Sequence, residues 1–286
     1  MPTPALPYLV QAGELAEAIA APDNGSLRII CLGKPEQFLS GHIPGGVWLD
    51  QAKLNRGGMP APGLLPDPDI LESAFAEIGL GADHHVVGYD DDGGTGGARL
   101  IWVLEAMGHR RLSMLDGGLE SWQAERLPLE AGIPATAPAA GRWKACPDPT
   151  VVATKDDVLS ILGDPEVRIL DARSENEYLG RKTRSARKGR IPGARHLNWL
   201  DTIDPENNRR LRSPEVLEKI LADRGFDREH EIIVHCQTHQ RSSHSFVMLR
   251  SLGYRRVRAY AGSWMEWAAD GSLPVILEDT TGTGGV

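Results

Sequence analysis

A duplicated α/β domain, each copy built on a buried parallel sheet, is the fold class that three features of the 286-residue sequence predict. Short β-branched runs such as Ile232-Ile233-Val234 show no apolar/polar alternation, which suits a strand covered on both faces. Such runs recur with helical spacing between them, the rhythm of βα units. Landmarks of the first half then return in the second half in the same order, a self-similarity too long for a solenoid repeat.

In chain order, Leu27 to Leu32 is an apolar run stopped by Gly33, Lys34 and Pro35, and so a strand. Gly41-His-Ile-Pro-Gly-Gly46 is a loop leading to the short apolar piece Val47-Trp48-Leu49. Between Asp67 and Leu80 the spacing of Ile70, Leu71, Phe75 and Ile78 is helical, and Gly79 closes it. Val86 to Tyr89 is a strand, Asp90 to Gly97 its acidic, glycine-rich loop, and Ala98 to Met107 the following helix, ended by Gly108. Leu112 to Leu115 is another strand, and Asp116 to Trp122 turns into a further helix.

The second half repeats this. Arg168 to Asp171 matches the first strand, and Gly189-Arg-Ile-Pro-Gly-Ala194 matches the Gly41 loop. Ile232 to His235 matches Val86 to Tyr89, Leu252-Gly253 matches Met107-Gly108, and Ala261 to Trp267 matches Asp116 to Trp122. The resulting division is a first domain over 8–127, a Pro/Ala/Gly-rich linker over 128–149, a second domain over 150–277 and a loose tail over 278–286.

Bulk properties narrow the function. A net charge of −8 with no dominant basic face argues against nucleic acid as the main partner. Three scattered cysteines do not make a disulfide framework and fit a reducing compartment. No basic, then apolar leader opens the chain and no window approaches a membrane span, so a cytoplasmic protein with no membrane partner is expected.

Chemistry concentrates where Val234-His235 ends a strand and Cys236 opens the loop Gln237-Thr238-His239-Gln240-Arg241. Ligands of open α/β sheets bind outside strand carboxyl ends. A thiol there meets a helix N-terminus and unpaired backbone N–H groups, both of which favour thiolate, and Arg241 adds fixed positive charge. Ser242 and Ser243 are candidate N-caps for a helix with Phe246, Val247, Leu249 and Leu252 on its apolar face. A small buried hydrophobe is the alternative reading of Cys236, and the polar side chains crowding it favour reactivity. Zinc on His235, Cys236, His239 and His244 is disfavoured: residues alternating across a strand end do not converge tetrahedrally, and no Cys-x-x-Cys partner exists. No motif implies a metal or organic cofactor. In the first copy, Asp90 occupies the position of Cys236; a carboxylate cannot do sulfur chemistry, so that copy reads as a structural cover for the second copy's loop, with Asp90 to Asp92 a solvated acidic turn.

The patterns Phe38-x-x-x-His42-Ile-Pro-Gly45 and Val257-x-x-Tyr260-Ala-Gly-Ser-Trp264-x-Glu266-Trp267, with the six-residue loop Cys236 to Arg241, resemble signatures of the rhodanese family over about residues 8 to 277. The resemblance implies tandem rhodanese-like domains, the first inactive, and a sulfurtransferase carrying sulfur as a cysteine persulfide. It would take a sulfane sulfur from a small anionic donor, thiosulfate or alternatively 3-mercaptopyruvate, and pass it to cyanide, a thiol or a protein thiol. Carried onto this chain, Cys236 is the nucleophile, the amides of Gln237 to Ser242 hold the persulfide, and Arg241 binds the donor's charge. Asp171 and Arg173, at an adjacent strand end, would brace the loop, or Asp171 merely caps a turn. Trp199 would wall the pocket or belong to the core. The loop is neither the basic thiosulfate type nor the small-residue mercaptopyruvate type, and Glu177 stands where better-known members carry a basic residue. The insertion 181–190, with six basic residues and no acid, either draws anions toward the cleft or is a solvated loop.

Two rivals remain. His235-Cys236 and Arg241-Ser242 look like the ends of a cysteine-phosphatase loop, but four residues separate Cys from Arg where such phosphatases need five, a cradle suited to sulfur rather than phosphoryl. A non-enzymatic sulfur carrier or scaffold is the other.

Overall fold

A computed structural model describes residues 6–22, 24–133 and 142–277; the proposed tail over 278–286 and part of the proposed linker lie outside them. The first sheet has five parallel strands: β1 (Leu9–Val10), β2 (Leu27–Cys31), β3 (Val47–Trp48), β4 (His85–Tyr89) and β5 (Leu112–Leu115), in the order β1-β5-β4-β2-β3. Helices α1 (Ala12–Ala20), α2 (Pro35–Ser40), α3 (Pro68–Glu77), α4 (Thr95–Ala106) and α5 (Gly118–Ala124) connect them. Central β4 is buried along its whole length, as an unalternated run requires.

The second half builds a parallel sheet from β6 (Val152–Ala153), β7 (Val167–Asp171) and β8 (Ala194–His196), with a small antiparallel pair β9 (Ile203–Asp204) and β10 (Arg210–Leu211) standing apart, then β11 (Glu231–His235) and β12 (Val257–Tyr260). Its order, β6-β12-β11-β7-β8, reproduces the first sheet position for position. The helices are α6 (Lys155–Ser160), α7 (Glu175–Tyr178), α8 (Pro214–Asp223), α9 (Arg241–Ser251) and α10 (Ser263–Ala269).

Helix α4 begins at Thr95, three residues before the expected Ala98, because Gly94 at φ 90° makes the turn into it. Ile70, assigned to the apolar face of α3, is 56% exposed, while Leu71, Ala74 and Phe75 face inward. Each sheet keeps an apolar core of its own on one face, around Leu15, Ile29 and Trp122 in the first half and around Val158, Ile233 and Trp264 in the second, while the other faces share one. Helices α4 and α9, each following the central strand of its sheet, pack against one another, and one cluster runs from Ile101 and Leu104 to Phe246, Val247 and Leu249. The described parts of the expected linker lie along the first domain: Glu130 pairs with His42, and the amides of Cys146 and Asp148 donate to Met107 and Ala106 carbonyls.

Candidate active site

Cys236 directly follows central strand β11, and the chain turns through Gln237–Gln240 into α9. The turn is tight enough to put His239 at φ 59°. It is clamped by the start of α10: the amides of Trp264 and Met265 donate to the Cys236 and Gln237 carbonyls at 2.9 and 3.0 Å, and the Cys236 amide donates to Ser263 Oγ at 3.3 Å. This explains why Ala261 to Trp267 repeats beside the loop, a link that spacing alone does not reveal. Ser242 and Ser243 are not N-caps; α9 begins at Arg241, and both lie in its first turn. Ser243 Oγ instead donates to the His239 carbonyl at 2.6 Å, and Ser242 Oγ lies 2.7 Å from His239 Nδ1.

The Cys236 residue is 1% exposed. Burial alone would push the thiol up, yet it lies below the ordinary cysteine value. The Arg241 charge, the Ser242 hydroxyl and the Ser242 and Thr238 amides together outweigh the burial. Cys31, at the end of β2, is the control within the same chain: buried as well, it has the Gly33 amide at 3.4 Å and the Tyr89 hydroxyl, but the charges near it are the Asp90 and Asp91 carboxylates, and burial pushes its thiol up to about 11.

Arg241 is not free to meet an anion, as the sequence suggested. Its guanidinium is forked onto Glu177, Nη1 to Oε2 at 2.7 Å and Nη2 to Oε1 at 3.0 Å. Glu177 is fixed by a capping box at the start of α7, accepting from the Ser174 amide and hydroxyl at 3.1 and 2.7 Å. Burial raises its carboxyl, but the Arg241 and Ser174 donors win and bring it to about 2. The Ser-x-x-Glu spacing was the available signal for this placement.

Asp171 and Arg173 form a fully buried pair. The Arg173 side chain donates to both carboxylate oxygens at 2.6 to 3.0 Å, and its amide donates to Asp171 Oδ1 at 3.1 Å. Asp171 therefore caps the turn and also lies 3.6 Å from Nε2 of His235, the residue before the cysteine; no hydrogen bond joins it to the loop among the described residues. Arg173 stacks over Trp264, 4.6 Å from the ring centroid, tying the pair to the α10 clamp. Trp199 sits in the core cluster, edge-on to His244. The insertion 181–190 is anchored rather than purely solvated: Arg187 donates to the Trp267, Ala268, Asp270 and Leu273 carbonyls at the end of α10, and Ser185 Oγ accepts from Gln237 Nε2 at 2.6 Å.

The first domain reaches the loop with residues that the sequence did not single out. Gln51 Nε2 donates to Gln240 Oε1 at 2.7 Å and Gln240 Nε2 to Asn55 Oδ1 at 3.0 Å. Gly63 lies so close to Thr238 that a Cβ on it would stand 2.2 Å from the Thr238 carbonyl oxygen. Trp102 of α4 meets the His239 ring edge-on at 4.3 Å.

At the matching position of the first copy, Asp90 is not solvated but 3% exposed. Its carboxylate accepts from the amides of Asp92, Gly94, Gly96 and Gly97 at 2.6 to 3.0 Å. The nest of N–H groups that such a loop creates is filled by the chain's own anion.

A rhodanese-like domain model matches residues 12–125 and again 154–270. A thiosulfate sulfurtransferase of Azotobacter vinelandii is 38% identical over 95% of this chain and 98% of its own, and one of Pseudomonas aeruginosa is 36% identical over 94% and 97%. The crystal structure of SseA from Escherichia coli, a 3-mercaptopyruvate sulfotransferase, superposes with a TM-score of 0.79 at 29% identity, covering 90% of this chain and 99% of that one. Among the described residues no helix is long and apolar enough to cross a membrane.

Proposed function

From a chain that belongs to the rhodanese family, as a tandem pair of its domains and a sulfurtransferase, we propose a thiosulfate sulfurtransferase that works through a persulfide on Cys236. The observation that carries it is the sulfur itself: buried, yet pulled toward thiolate by Arg241 and by the Ser242 and Thr238 donors. The thiolate attacks the outer sulfur of thiosulfate; a new S–S bond forms as the old one breaks, and sulfite leaves with its electron pair. The terminal persulfide sulfur inherits the donors of the loop. Cyanide or a thiol then takes the outer sulfur, and the electron pair of the S–S bond returns to Cys236 as thiolate. The donor's oxyanion end needs a cation, and Arg241 is the guanidinium at the loop's edge.

Intact mass after incubation with thiosulfate tests this. The protein is expected to gain one sulfur, to lose it to cyanide, and to gain none as Cys236→Ala; a full-length folded protein that gains no sulfur from any sulfane donor would leave the scaffold reading. Initial rates with thiosulfate and mercaptopyruvate under one acceptor decide between the two donors.

A further inference from the structure

Arg99 stands on α4 of the first domain and is 0% exposed. Nη2 donates to the Leu54 and Gly63 carbonyls at 2.9 and 2.8 Å, while Nε and Nη1 have no partner. Among the described residues no carboxylate lies within ion-pair distance of it. A buried guanidinium with two unmet donors and no counter-ion is costly to keep. Its surroundings lead to the loop of the second domain: Gly63 lies against Thr238, and Trp102, over which Arg99 stacks at 4.7 Å, meets His239 edge-on. His239 in turn holds Ser242, whose hydroxyl and amide are among the groups that lower the Cys236 thiol.

We infer that Arg99 is a positioning residue for sulfur transfer, supplied by the first domain, whose buried positive charge favours the anionic form of Cys236 and keeps His239 a neutral donor to Ser242. The inference rests on Cys236 being the sulfur carrier. A neutral imidazole donates Nδ1–H to Ser242 Oγ, leaving the hydroxyl hydrogen for the sulfur; a protonated one would add charge that the site does not pair. The titration directions agree. Burial brings Arg99 down to about 9 while the Cys236 charge holds it up, and His239 is driven well below the ordinary histidine value by burial and then by Arg99. The other charged or titratable groups around the sulfur are Arg241 with Glu177, and His235 with the Asp171–Arg173 pair. Arg99 differs from Arg241 in having no carboxylate of its own, so its field is not cancelled locally.

Alkylation of Cys236 by iodoacetamide across pH, followed by mass, reads this without any sulfur transfer, so failure here and failure of the sulfurtransferase reading are separate results. Arg99→Gln and Arg99→Met, shown folded by circular dichroism, are expected to raise the apparent thiol pKa by about one unit, with alkylation near pH 6.5 slowed roughly fivefold. Arg99→Lys, which keeps the charge, should stay within a few tenths of the parent. A merely structural Arg99 would leave the profile in place in a folded neutral variant, and that result overturns the inference. Should neither neutral variant fold, the Arg99 Nε–H resonance of the parent protein carries the test: it should shift as the Cys236 thiol titrates and lose that step once the thiol is alkylated, and a resonance indifferent to the thiol overturns the inference.

Discussion

The fork between Arg241 and Glu177 decides how an anion can enter, because a dianionic donor must share or displace a carboxylate already seated on the guanidinium at the loop's lip. Glu177→Gln should free Arg241 and remove a repulsive charge. The Michaelis constant for thiosulfate is expected to fall about fivefold, equivalent to roughly 1 kcal/mol. Arg241→Ala should raise it at least tenfold, as loss of a charge-assisted contact of about 1.5–3 kcal/mol implies. The double variant should lie above the parent but below Arg241→Ala alone, since the stranded Glu177 charge has gone as well. Steady-state kinetics on the four proteins checks the cycle; a constant indifferent to Glu177 would mean that the donor binds elsewhere. At this scale the sequence was half legible. Cys236 could be read from a strand end meeting a polar loop, and Glu177 from its capping-box spacing. That Arg241 and Glu177 face each other could not, because they come from elements more than sixty residues apart and meet only once β7 and β11 are paired.

The two strand–loop–helix elements show how one backbone device is used in opposite ways. In both copies the loop after the central strand turns its amides inward; in one they receive the Asp90 carboxylate, in the other the Cys236 sulfur. The acidic run Asp90 to Asp92 looked solvated because charge alone carries no information about N–H direction. The four-amide nest depends on Gly93 and Gly94 at φ 80° and 90°. Strands β2, β4, β7 and β11, by contrast, were legible almost to the residue, since an unbroken β-branched run has few other uses, whereas the two-residue strands β1, β6, β9 and β10 are too short to leave such a run. The first domain's segment around Gly63 is an element with no sequence signal at all, and it meets the Cys236 loop by close backbone approach. Gly63→Ala must move either that segment or Thr238, because the obstacle is backbone rather than a flexible side chain. A cost of about 1–3 kcal/mol is expected, with persulfide formation slowed while circular dichroism is unchanged. Unaltered rate and melting temperature together would show that the segment yields freely and does not set the loop.

At the scale of the whole molecule, the internal repeat predicted two domains, and the packing joins them through a shared cluster between α4 and α9. A repeat detected in sequence reports shared ancestry of the elements but not which faces they bury. The helices after the two central strands carry apolar residues on more than one face, and that is the feature that announces a shared core: every residue from Gly96 to Ala106 in α4, and from Ser242 to Leu249 in α9, is buried. Polar links reinforce the seam, with the Asp116 carboxylate accepting from the Leu211 amide at 2.8 Å and Arg250 reaching Glu105 at 2.5 Å. If the halves were independent, weakening α4 would leave the second sheet untouched. If they share one core, Leu104→Ala in α4, a fully buried position, should cost about 2–5 kcal/mol and lower the protection of both sheets together. Hydrogen exchange of the β11 amides of Ile232, Ile233 and Val234 is the direct measure, because they belong entirely to the second sheet. Their exchange under conditions that report global opening should quicken in step with that of Val86 and Val87 on β4; protection of β11 that stays at the parental level while β4 loosens would make the halves separate folding units, and would leave the first domain's hold on the Cys236 loop a surface contact.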